Sequence, residues 1–96
     1  MTRQPYRYSS MLAVTNSRPT WHEVHVEPWA NDYTLFPGET LEIHAYSHTH
    51  VPAFHLVEWG DVSQVFCEST EDFTVLQKGV ELACGHQRQP GSRASG

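Results

Sequence analysis

The chain has no apolar run approaching the ~18 residues of a membrane span; the longest near its start is Met11–Val14. That run is also shorter than the roughly seven residues of a secretory signal's apolar region, so the expectation is a soluble, cytoplasmic protein. Lysine occurs once, at Lys78, and cysteine twice, at Cys67 and Cys84. In the cytoplasm both cysteines should be reduced, and both end expected strands as small buried thiols. In an exported protein, a bond between them would close a loop worth roughly 3 kcal/mol.

Catalytic signatures are also missing. There is no Gly-x-Ser-x-Gly elbow and no Gly-rich phosphate loop. Glu58 and Asp61 flank Trp59-Gly60 and read as solvated turn acids rather than an acid–base pair. Cys84 and His86 could form a nucleophile–base pair, but no third group orients them. No catalytic residue is assigned, and the expectation is a protein that is not an enzyme.

What is present in excess is acid and histidine. From Pro19 to His86 the chain carries all 11 acids and one base, a net charge of −10 hidden inside the overall −5. The five arginines lie outside that stretch, toward the two ends. So acidic a body repels nucleic-acid phosphates and anionic lipids over about a Debye length. The partner class it suits is a protein surface, basic or its own, with no nucleic acid and no membrane. All seven histidines fall in the same stretch, dispersed rather than contiguous. Protonating them would move the formal charge from −5 to +2, so solubility or self-association is expected to change between about pH 7 and 5.5.

The 96 residues allow one domain. Residues 1–9 read as a mobile arm, and 87–96, dominated by Pro, Gly and Ser, as a disordered tail. Between them the apolar period is two. Leu41, Ile43 and Ala45 fall on one face, and Glu42, His44 and Tyr46 on the other. Similar runs at Ser10–Val14, Trp21–Glu27, Tyr33–Phe36, Ala53–Trp59, Val62–Cys67, Phe73–Leu76 and Val80–Cys84 are separated by turn chemistry. Pro37-Gly38 fits the central positions of a type II turn, while Ser69–Asp72 could form one helical turn capped by Ser69. Seven or eight short strands predict an all-β fold, a small antiparallel β-sandwich over residues 10–86. Its expected core is Leu12, Val14, Val24, Val26, Leu41, Ile43, Leu56, Val65 or Phe66, Phe73, Val75 and Leu82.

The stretch from Val14-Thr-Asn16-Ser through Glu23–Glu27 to Tyr33-Thr-Leu35-Phe-Pro37-Gly38-Glu39-Thr40 resembles the opening strands of immunoglobulin-like and cupredoxin-like sandwiches. Glu27-Pro28-Trp29 followed by Leu35-x-Pro37-Gly38-Glu39 also resembles short bacterial proteins of unassigned function. The resemblance covers roughly residues 12–45 and implies a fold rather than an activity. A blue-copper site would need Cys84, His86 and a late methionine, yet no methionine follows Met11. The His48-Thr49-His50 pair lacks the glutamate that a cupin places four or five residues on, where Phe54 and His55 stand.

Two sets of candidate site residues remain. His48 and His50, two apart on a strand, would face one side; a site of His48, His50 and His55, or one of Cys84 and His86 with Cys67, would suit Zn or Cu. Trp21, His25 and Trp29 place aromatics among acids and suit a protein-binding spot. The favoured reading is a small acidic, non-enzymatic binding or accessory domain with a protein partner or self-association. The alternative is a divalent-metal binder.

Overall fold

The computed structural model describes residues 6–82. The alternating pattern forms eight strands: β1 (Tyr8–Thr15), β2 (His22–Glu27), β3 (Asn31–Leu35), β4 (Thr40–Ser47), β5 (Ala53–Trp59), β6 (Val62–Glu68), β7 (Asp72–Gln77) and β8 (Val80–Glu81). They make two four-stranded sheets, one ordered β1-β4-β7-β8 and the other β3-β2-β6-β5. The fold is therefore all-β, a small sandwich. Within each sheet the pairing is antiparallel except for β2 and β6, which run parallel, Glu23 opposite Val62 through Glu27 opposite Phe66. That ladder departs from the purely antiparallel expectation, because β2 accepts a partner reached only after three intervening strands, one of which, β4, lies in the other sheet.

Period two decides which side chains meet between the sheets. Val24, Val26, Leu41, Ile43, Val65 and Val75 are buried there, joined by Tyr33 and Leu35 of β3. Leu12, Phe73 and Leu82 pack against them at the margins, as does Phe54. Leu56 departs from the expected core. Its parity matches Phe54 across the β5–β6 ladder, yet it is 42% exposed, because β5 is an outermost strand and the opposite sheet does not reach over it. Val65, not Phe66, is the buried member of that pair.

The turns follow their chemistry. Phe36 O accepts from Glu39 N at 3.0 Å across Pro37-Gly38, and Gly38 has a φ of +84°; this is the type II turn that the sequence predicts. Lys78-Gly79 joins β7 to β8 with positive φ at both residues, 53° and 78°, a type I′ hairpin loop. The helical turn expected at Ser69–Asp72 is absent. Ser69 has a φ of +55°, and the Glu71 amide is tied to the Tyr46 carbonyl at 2.8 Å, so the segment simply steps from one sheet to the other. Tyr8 and Ser9, read as part of the arm, lie in β1. The 83–96 segment, including the disordered-tail expectation for 87–96 and the site residues Cys84 and His86, lies outside the described residues, as do residues 1–5.

Candidate functional site

The outward face of the second sheet is built by the alternate residues of its four strands. The registers place Glu23, His25 and Glu27 of β2 beside Val62, Gln64 and Phe66 of β6. Those in turn stand beside Trp59, Val57 and His55 of β5. Asp32 of β3 flanks His25 on the other side. The face thus has two halves: carboxylates on β2 and β3, and apolar side chains on β6 and β5.

The apolar half is open to water. Trp59 is 62% exposed and Phe66 36%. Two shallow hollows lie along the boundary of the halves. One, of about 340 Å³, is lined by His25, Trp59, Val62 and Gln64. The other, of about 550 Å³, lies between Glu27, Pro28, His55, Val57 and Phe66. On the carboxylate half, His25 Nε2 sits 3.0 Å from Glu23 Oε1 and 3.8 Å from Asp32 Oδ1. The Glu23 carboxylate accepts the His25 Nε2–H hydrogen bond there.

The residues singled out from the sequence are dispersed. Of the three expected at a protein-binding spot, the registers place His25 on this face. Trp29 is stacked on Phe73, ring centroids 4.3 Å apart, where it packs against the core at the other side of the sandwich. Trp21 is half-buried just ahead of β2.

Strand length removes the reason for pairing His48 with His50 as metal ligands. β4 ends at Ser47, so His48 and His50 occupy a bend and the same-side argument for a strand does not apply. His48 packs on Tyr6, ring centroids 4.4 Å apart, and His50 Nδ1 lies 2.9 Å from Thr49 Oγ1. His55 is on β5, across from Phe66. Among the described residues, no group of three or more His, Cys, Asp or Glu side chains could hold a metal ion. The bend itself is organised by Glu71. Its carboxylate accepts from His48 N at 2.7 Å and from Ser47 Oγ at 3.0 Å, and these bonds hold its carboxyl below the usual carboxylate range.

One end of the sandwich is closed by residues to which the sequence reading gave no such role. Asn16 is buried, and its Nδ2 donates to the carbonyls of Thr20 and Leu35, each at 2.9 Å, while its Oδ1 accepts from Arg18 N at 3.0 Å. Its backbone binds the type II turn, N to Glu39 O and O from Gly38 N. Beneath it His22, 4% exposed, has Nε2 2.7 Å from Ser63 Oγ. Burial lowers its pKa, with Arg18 adding to the effect and Glu58, Asp61 and Glu23 opposing it. Arg18 reaches over the end to donate to the Gly60 carbonyl and lies 3.9 Å from Glu58. A signal for His22 was available, since it shares the parity of Val24 and Val26.

The Cys67 thiol is free and buried on the inward side of β6, and burial pushes its pKa up to about 11. No helix among the described residues is long and apolar enough to cross a membrane. No protein-family model, curated protein or solved structure matches the chain.

Proposed function

We propose that the protein is a small, acidic, non-enzymatic binding domain that takes a protein partner on the outward face of its second sheet. The observation that carries this is the exposure of Trp59 and Phe66, beside Val57 and Val62 and next to the Glu23, Glu27 and Asp32 carboxylates. An exposed indole and phenyl on a rigid sheet gain roughly 25 cal/mol for each Å² of apolar area covered, and such anchors dominate protein interfaces. The adjoining carboxylates favour cationic groups at the rim and disfavour phosphate backbones and anionic lipids. A free, buried Cys67 suits a cytoplasmic location.

The test uses extended peptides alternating Lys with Val, against a series alternating Glu with Val. The Lys series should shift Trp emission of the wild-type protein, bind more weakly as salt rises, and lose at least about 10-fold in affinity in the Phe66→Ala variant. Equal binding of the two series, or binding indifferent to Phe66→Ala, overturns the reading.

A further inference from the structure

We infer that a second copy of this chain pairs along β5, joining two second sheets edge to edge into one eight-stranded sheet. The inference rests on the proposed face, because it sets two such faces side by side.

Four observations converge on this strand. First, all seven residues of β5 pair with β6 without a bulge, Ala53 opposite Glu68 through Trp59 opposite Val62. Among the described residues the other side of β5 carries no strand. Second, the strand has few of the devices that blunt such an edge. It holds no Pro and no Lys, and its single acid, Glu58, is engaged by Arg18. Third, Leu56 points inward by register and is nevertheless 42% exposed. A neighbouring strand is what would cover it. Fourth, two of the other edge strands are short and the third, β1, is tied at one point to the start of β5. β3 has five residues and β8 two, while β1 donates Ser10 Oγ to the Pro52 carbonyl at 2.7 Å.

The occupant follows from charge and self-complementarity. Antiparallel pairing about Leu56 sets Leu56 against its own copy, His55 against Val57, Phe54 against Glu58 and Ala53 against Trp59. No like-charged pair arises in that register. The acidic halves, which would otherwise repel a second copy, are turned to the far flanks. The two β2 strands end up five strand spacings apart, about 24 Å, roughly three Debye lengths at physiological salt. The two apolar halves become one continuous strip between them, on the same side of the joined sheet. A foreign strand would need complementary chemistry of its own, whereas a second copy already supplies it.

Sedimentation equilibrium of the full chain from about 5 to 500 µM, with amide hydrogen exchange at both ends of that range, tests the inference. The expected result is a dimer whose Kd rises at least about 10-fold in Leu56→Lys and stays within about 2-fold in Met11→Lys, which charges the other long edge. The 53–59 amides should become protected as concentration rises, a readout independent of any variant. A monomer throughout the range, a dimer lost in Met11→Lys, or 53–59 amides that exchange alike at both concentrations overturns it. A monomer that still binds the Lys-Val peptides in a Phe66-dependent way would remove the second copy and leave the binding face standing. Failure of that peptide binding would remove the face instead.

Discussion

The closed end of the sandwich and the open β5 side of its second sheet show opposite uses of polar and apolar side chains. Around Asn16 and His22 polar groups are buried and, His22 Nδ1 apart, bonded, closing the sandwich. Along β5 and the outer side of β6 apolar groups are left open. The first arrangement serves stability, because a buried amide or imidazole without its partners would be expensive. The second contributes little to the folded state of one chain and is available for contact. Substitutions should therefore separate cleanly, lowering stability at the closed end and lowering association at the open side.

The largest effect is expected at Asn16. Asn16→Ala strands the Thr20 and Leu35 carbonyls and frees the loop over His22, and should lower unfolding free energy by about 3 kcal/mol. Urea titration at a fixed protein concentration measures this, and a loss no larger than that of an exposed substitution would break the contrast. Next is Cys67. A thiol pushed up to about 11 from the ordinary 9.0 carries about 100-fold less thiolate. Alkylation mapped by mass to the Cys67 peptide should be slower than in urea by at least that factor.

A smaller effect is the pH response of His22. Folded His22 holds a proton less tightly than the unfolded residue near 6.5, so unfolding takes up a proton in mild acid. Stability should be flat above about pH 7.5 and fall as pH drops through 6.5. Glu71 is shifted in the same direction, but its contribution is lost only as pH falls through the carboxylate range, leaving the higher window to His22. The His22→Asn variant should flatten urea midpoints between pH 7.5 and 5.5. A slope unchanged in that variant would place the titrating group elsewhere. The smallest effect is at Trp59, where Trp59→Ala should change unfolding free energy by no more than about 0.5 kcal/mol while weakening peptide binding. A large loss of stability there would erase the distinction between the two regions.

Much of the fold was legible because the physics that forms it is local. Period two located the eight strands, and Pro37-Gly38 and Lys78-Gly79 specified their turns through φ alone. What was illegible depended on neighbours far along the chain. Leu56 has the right parity for the core, but parity does not say that β5 is an edge strand without cover. His48 and His50 lost their strand because β4 stops at Ser47, where Glu71, 24 residues away, takes the loop's donors. The candidate face escaped for a related reason. Trp59 and Phe66 are apolar residues on runs that look buried from the sequence, and only the register shows them pointing outward beside the carboxylates of β2.

The parallel ladder between β2 and β6 also bears on how the chain reaches this state. During synthesis β2 can form its hairpin with β3 early, but its other edge stays unpaired until Phe66, the last residue of that ladder, has left the ribosome. Assembly of the second sheet is thus a late event set by long-range closure, which places folding in the millisecond-to-second regime of non-local β topologies. Until then the β2 edge is a transient strand-pairing surface in the nascent chain, and the acidic residues that line it serve as its guard against aggregation.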